Sequence, residues 1–367
     1  MLRRDRLLAA LTLMAGVGLA LGLPFALSAG REFFLPVTAS LVIAIALVPL
    51  LEALERRRAP STLAALICVL GFLLVLNIAL AAIVVPATEW VQLLPQRLMR
   101  IQNNIAPLLD LYDNLQHFVD RAVKTMASDT QIRSSQTTAV APPNSILELA
   151  ATSAPLALIQ MFFSLLLIFF MLAGWTRLRR RTITSRGSFS GAMATARVIQ
   201  NVVDSTSAYL GTITLINIGL GLIVAGVLWA IGMPSPLMWG GIVAFLNYVP
   251  YLGPIFAAVL LTLGGLMSFT DVKLALIPAA LMVGLHLIEA NAFTPFMVGR
   301  RLTINPVLIL LSISFWAWVW GPLGALLAVP LLIILQTIAG AAGKPDIAGF
   351  LFEDGTLTHG PETPPAP

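Results

Sequence analysis

The sequence predicts an all-α, polytopic transmembrane protein: about six full spans plus two opposed re-entrant helical hairpins, about eight hydrophobic segments, with a helical extracytoplasmic insertion. Three observations predict it. Of 367 residues, 58% are hydrophobic and 11% charged, where a soluble domain carries about 25% charged residues. The deficit is concentrated: between Asp204 and Glu289 only Asp271 and Lys273 carry fixed charge, and between Arg301 and Lys344 no residue does. The arginines, finally, sit in short clusters beside the apolar runs, as cytoplasmic loops do. That distribution also excludes nucleic acid as the partner of the +5 net charge, because no basic stripe is interleaved with stacking aromatics. Cys68 is the one cysteine and the three histidines are scattered, so neither a disulfide, a zinc set nor another cofactor is expected.

The first apolar run, 7–29, follows Arg3, Arg4 and Arg6. It exceeds the roughly 7–15 residues of a signal-peptide core and reads as a retained span. Arg31-Glu32 is expected to turn into a second span, 33–51, ending at Glu55-Arg56-Arg57-Arg58, and a third covers 61–85. Residues 86–146 are the long polar stretch. Leu94, Leu98, Ile101, Ile105, Leu108, Tyr112, Leu115, Val119, Ala122 and Met126 alternate at spacings of four and three, a heptad stripe for packing along another helix. Pro107 should kink it. That seam suits the protein's own membrane domain or a second subunit equally. Ser128 to Ser145 reads as a linker. A fourth span, 146–174, ends in Arg177, Arg179, Arg180 and Arg181, and an amphipathic connector with Arg186 and Arg197 leads to a fifth, 206–232. Alternate crossing then puts the arginine clusters and the N-terminus in the cytoplasm and 86–146 outside.

Beyond Gly232 the pattern changes. Residues 236–269 are broken by Asn247-Tyr248-Val249-Pro250-Tyr251-Leu252-Gly253-Pro254, and 305–339 by Trp320-Gly321-Pro322-Leu323-Gly324. Proline removes a donor and glycine relaxes the backbone, so each break is expected to free backbone groups. Hydrocarbon tolerates these only where protein or a wet cavity surrounds them. Paired broken segments are the sequence pointer to a transporter's substrate site. Gly253-Pro254-Ile255-Phe256-Ala257 parallels Gly321-Pro322-Leu323-Gly324-Ala325. If both segments crossed fully, Arg300-Arg301 would lie outside; two hairpins entering from opposite sides, with 272–294 crossing between, return that pair and the C-terminus to the cytoplasm.

The candidate solute contacts are Asn247, Tyr248, Pro250, Gly253, Pro254, Asn291, Gly321 and Pro322. His286 and Glu289, three apart and so on one helix face, are ion-coupling candidates, against the simpler reading that Glu289 pairs with Arg300 or Arg301. Asn217 and Asn247 are expected first as interhelical hydrogen-bond partners. No catalytic residue is expected: no Ser/His/Asp, HExxH or clustered carboxylate pattern appears among the spans.

Phe245-Leu246-Asn247-Tyr248-Val249-Pro250-Tyr251-Leu252-Gly253-Pro254, then His286-Leu287-Ile288-Glu289-Ala290-Asn291 with Thr294-Pro295 and Gly299-Arg300-Arg301-Leu302, then Asn305-Pro306-Val307 through Gly321-Pro322-Leu323-Gly324-Ala325-Leu326-Leu327-Ala328-Val329-Pro330, resemble the autoinducer-2 exporter family. The resemblance is strongest over 204–338. It implies a bacterial inner-membrane protein, a homopentamer, whose two hairpins bind a small polar solute and move as an elevator. Other members are associated with sodium/proton antiport. Where many relatives carry an acid just after the fourth span, this chain has Ala173-Gly174-Trp175-Thr176.

The domain organisation expected is a three-span segment (1–85), an extracytoplasmic helix and linker (86–146), a fourth span with basic connector (147–205), a transport core (206–340) and a disordered cytoplasmic tail (341–367). The leading function is export of a small polar, autoinducer-2-like solute. The alternatives are a sodium/proton antiporter using Glu289, or an oligomeric scaffold or channel assembled through the heptad segment.

Overall fold

The computed structural model describes residues 2–93, 97, 143–185, 188–289, 291 and 305–341. All regular structure among them is helical. The helices are α1 Leu2–Ala29, α2 Arg31–Arg56, α3 Ser61–Gln92, α4 Pro143–Thr184, α5 Phe189–Ala230, α6 Pro236–Leu246, α7 Leu252–Ser268, α8 Val272–Ile288, α9 Pro306–Trp320 and α10 Pro322–Ala341. Five segments are long and apolar enough to cross a bilayer: Arg31–Arg56, Ser61–Trp90, Leu158–Thr184, Phe189–Ala230 and Pro322–Gly340. In the most apolar, Ser61–Trp90, only 11% of the hydrophobic window is buried. An outward apolar surface of that size is a liability in water and a requirement in lipid. The chain is a polytopic, all-α membrane protein.

Several element boundaries move. The break between the first two helices is Gly30, not Arg31-Glu32, and a Cβ there would lie 2.8 Å from the Phe34 ring. Pro86 does not end α3, which runs on to Gln92. The basic connector is helical to Thr184 and again from Phe189, with Arg186 outside the described residues. α4 and α5 are each 42 residues, about 63 Å at 1.5 Å per residue against roughly 30 Å of hydrocarbon. Their charged ends therefore continue the spans into the aqueous layer. α8 is described over 17 residues, Val272–Ile288, and the end of the expected span 272–294 lies outside the described residues apart from Glu289 and Asn291. α10 is by itself long enough to cross although the sequence reading makes it one arm of a hairpin. The heptad positions Leu94 to Met126, the linker to 142, Arg300, Arg301 and the tail from 342 lie outside the described residues.

The chain forms two compact units. One comprises Met1–Leu76, Leu156–Leu215 and Phe293–Pro367. Its core joins Val48 and Leu51 of α2, Ala65 and Cys68 of α3, Ile168 and Leu172 of α4, and Val203 of α5. α9 and α10 pack on each other in this unit, with Ser312 Oγ donating to the Ala328 carbonyl at 2.9 Å.

The other unit comprises Asn77–Pro155 and Ile216–Ala292. Val224 and Leu228 of α5, Val243 of α6, Leu261 of α7 and Met282 of α8 form its core, with Trp90 set edge-on to Trp239 at 5.1 Å. α5 and α6 meet backbone to backbone: a Cβ on Gly221 would lie 2.6 Å from the Gly240 carbonyl oxygen. A Cβ on Gly265 of α7 would overlap the Ala275 carbonyl of α8. Such small-residue crossings let dispersion contacts hold helices together where no hydrophobic force separates helix from lipid.

Candidate functional site

The first broken segment becomes α6, a tip and α7. Pro236 starts α6 at a position where its missing N–H costs nothing. α6 ends at Leu246, and Asn247 caps it with its amide bonded to the Val243 carbonyl at 3.0 Å. Tyr248 and Val249 donate to the Phe245 and Leu246 carbonyls at 3.3 and 3.0 Å. Leu252 then donates to Pro250, two residues back, at 2.7 Å, closing a γ-turn on Tyr251 at φ 64, ψ −52. A positive φ at a β-carbon-bearing residue in this turn is strained. The sequence expectation was an open tip with loose amides. Instead the amides of Asn247, Tyr248, Val249, Leu252 and Gly253 are bonded within the turn, so the tip offers a solute mainly carbonyl oxygens and side chains. Tyr251 itself is exposed. Tyr251→Gly is expected to raise thermal stability by about 1 kcal/mol as the strain is relieved, read as a higher unfolding midpoint in detergent.

Gly253 makes the tip possible. A Cβ there would overlap the Leu246 carbonyl and lie 3.1 Å from Asn247 Cα. Asn247 is buried, and its Nδ2 donates to Oδ1 of Asn217, itself fully buried on α5, at 2.8 Å. This is the expected interhelical pair. Asn217 Nδ2 has no partner among the described residues. An unmatched buried donor is rare and marks a place where a water or ligand acceptor completes the network.

The second broken segment is α9, Gly321 and α10, in the other unit. Gly321 takes φ 69 and ψ −150, backbone that only glycine adopts freely. Its amide donates to Ala317 at 2.8 Å and its carbonyl accepts from Ala325 at 3.1 Å. Trp320 Nε1 donates to the Leu27 carbonyl of α1 at 3.1 Å, anchoring the tip. Here a Cβ on Gly324 would overlap the Trp316 carbonyl. The two segments are thus alike, but the crowded glycines that correspond are Gly253 and Gly324, where sequence alignment matches Gly253 with Gly321. Pro322 opens α10, leaving the amides of Leu323 and Gly324 in the first turn, where helices have no carbonyl of their own to offer.

Of the polar residues near the end of α8, Glu289 is buried and its Oε2 lies 3.0 Å from His286 Nδ1. Glu289 and Asn291 fall in a π-helical turn, a widening frequent at functional sites. Asn291 is exposed, and its Nδ2 donates back to the Leu287 carbonyl at 2.8 Å. Its amide is spent on its own helix. Among the described residues no set of three or more His, Cys, Asp or Glu could hold a metal.

Five helices long and apolar enough to cross a bilayer, with further apolar helices meeting at two backbone-crowded tips, define a multi-pass membrane protein. Residues 9–343 match the family described as AI-2E family transporter, and the chain belongs to that family. It is 29% identical over 337 residues to the AI-2 transport protein TqsA of Escherichia coli, covering 88% of this chain and 90% of that protein. A Haemophilus influenzae relative, named only provisionally as a transport protein, is 26% identical over 333 residues, 89% of each chain. A Bacillus subtilis relative, YrrI, similarly named, is 25% identical over 319 residues, 84% of this chain and 86% of the relative.

Proposed function

We propose that this transporter exports a small polar solute of the autoinducer-2 type across the bacterial inner membrane, with both termini cytoplasmic, as a homo-oligomer. The observation that carries the reading is the first tip: a buried Asn217–Asn247 pair with one unmatched donor, under a strained Tyr251 turn. A sugar-like solute, rich in hydroxyls, satisfies such a network where an apolar one leaves it unpaired. Tyr248, Pro250, Gly253 and Pro254 shape that tip, and Gly321 and Pro322 shape its counterpart. Each helix pair acts as a re-entrant hairpin, and elevator-type movement of the hairpins carries the solute. The AI-2 named for TqsA and the pentamer implied by the family resemblance supply the cargo class and assembly. Uptake of labelled autoinducer-2 into inverted vesicles, with and without a proton gradient, tests this; no flux with any polar solute tried would overturn it.

A second reading, sodium/proton exchange, is favoured by the buried Glu289 beside His286. A buried carboxylate at membrane depth is costly unless it has work to do. Glu289→Gln separates the two. Exchange through this carboxylate loses its activity and its pH dependence in the variant. Export through the tips keeps at least about half its rate, a change below 1 kcal/mol in barrier.

A further inference from the structure

At the arginine-rich ends of two candidate spans, α2 and α4, lies a polar cleft of about 400 Å³. Glu52, Glu55 and Arg56 come from α2; Trp175, Thr176 and Arg179 come from α4. Glu52 and Glu55 are three apart, as are Thr176 and Arg179, so each helix turns one polar face to the other. Arg179 is held on three helices: Nη1 lies 3.2 Å from Glu52 Oε1, and Nη2 donates to Gln200 Oε1 of α5 at 2.5 Å. Gln200 is fixed in turn by Asp204 at 2.8 Å. Thr176 Oγ1 donates to Glu55 Oε2 at 3.0 Å. Trp175 Nε1 is buried and has no partner among the described residues.

A second cavity, about 290 Å³, is almost wholly apolar. Ile45 and Val48 of α2, Leu172 of α4 and Val202 of α5 line it, and Trp175 and Arg179 line both cavities. A polar cleft passing into an apolar groove at the end of a span has the shape of one amphiphile: head above, acyl chain below. The charges say which head. Glu52 and Arg179 pair with each other, leaving the Glu55 carboxylate and the exposed Arg56 guanidinium as the other two charges lining the cleft. One negative and one positive group match a zwitterion. With two carboxylates and two guanidiniums the lining carries no net charge, so an anionic head gains no net attraction there.

We propose that this cleft and groove form a specific site for an amine-bearing zwitterionic phospholipid, phosphatidylethanolamine. Glu55 accepts from the ammonium, Arg56 pairs with the phosphate, Trp175 Nε1 donates to a head-group oxygen, and a chain fills the groove. Phosphatidylcholine has no N–H for Glu55, and phosphatidylglycerol has no cation at all. The exposed arginines 177, 180 and 181 attract anionic lipid without such discrimination.

Native mass spectrometry of the full-length protein in an equimolar mixture of the three lipids tests this. One phosphatidylethanolamine per chain should be retained about fivefold over either competitor, a difference near 1 kcal/mol. Glu55→Gln should erase its advantage over phosphatidylcholine, and Arg56→Ala should weaken both. Trp175→Phe keeps the ring and removes the N–H, and should weaken phosphatidylethanolamine if Glu55→Gln fails to fold by circular dichroism. Equal retention of all three lipids by the wild type, an unchanged preference in the folded Glu55→Gln protein, or undiminished phosphatidylethanolamine retention in the folded Trp175→Phe protein would overturn the proposal.

Discussion

Asn247→Leu is expected to lower stability by about 1–3 kcal/mol and to abolish transport, because it strips the remaining hydrogen bond from a fully buried Asn217. Asn217→Leu in the same protein replaces both partners by apolar groups of similar size. That double change should recover most of the stability, since no polar group is then left unmatched. Transport should not recover. The unfolding midpoint and the vesicle flux, measured on the two single variants and the double, separate support from solute contact. A double variant that exports like the wild type would reduce the amide pair to a packing device.

Gly253→Ala and Gly324→Ala are expected to be at least as severe. The added methyl meets backbone in both places, the Leu246 carbonyl in one and the Trp316 carbonyl in the other. A rotamer change cannot relieve a clash with backbone, so the helices at each tip must separate. Overpacking of this kind costs about 1–3 kcal/mol, and here it falls on the tips proposed to carry the solute. More than about a tenfold loss of flux is expected for each, a barrier increase above roughly 1.4 kcal/mol, with the protein still inserted in the membrane. Gly321→Ala, with open space around its Cβ but φ 69, should be milder. If Gly321→Ala proved the more damaging, turn conformation and not tip crowding would govern the site.

The membrane class was legible because hydropathy is a property of the chain summed over windows. The breaks at 247–254 and 320–324 were legible for the same reason: proline and glycine carry their backbone preferences wherever they stand. That Asn217 and Asn247 would serve as interhelical hydrogen-bond partners was foreseen, since polar residues in apolar helices seek partners. Less of the site could be read. Tip amides expected to be free are bonded in the first turn, because a five-residue tip can close on itself through a strained Tyr251. Asn291, a candidate contact, binds its own helix. The correspondence of Gly253 with Gly324 depends on how each helix pair crosses, and sequence spacing alone matched the wrong glycine.

By itself, then, the sequence determined the solvent in which this protein folds, its helical class and the two places where its helices break. Each follows from side-chain transfer free energies and backbone preferences local to the residues concerned. Only the tertiary structure decided which carbonyl each glycine lies against, that Asn217 meets Asn247 across 30 residues of chain, and that Glu52, Thr176 and Gln200 come together around one arginine. Those are contacts between distant segments, set by the rotation and crossing of packed helices, and apolar helices can pack in many registers that hydropathy does not distinguish.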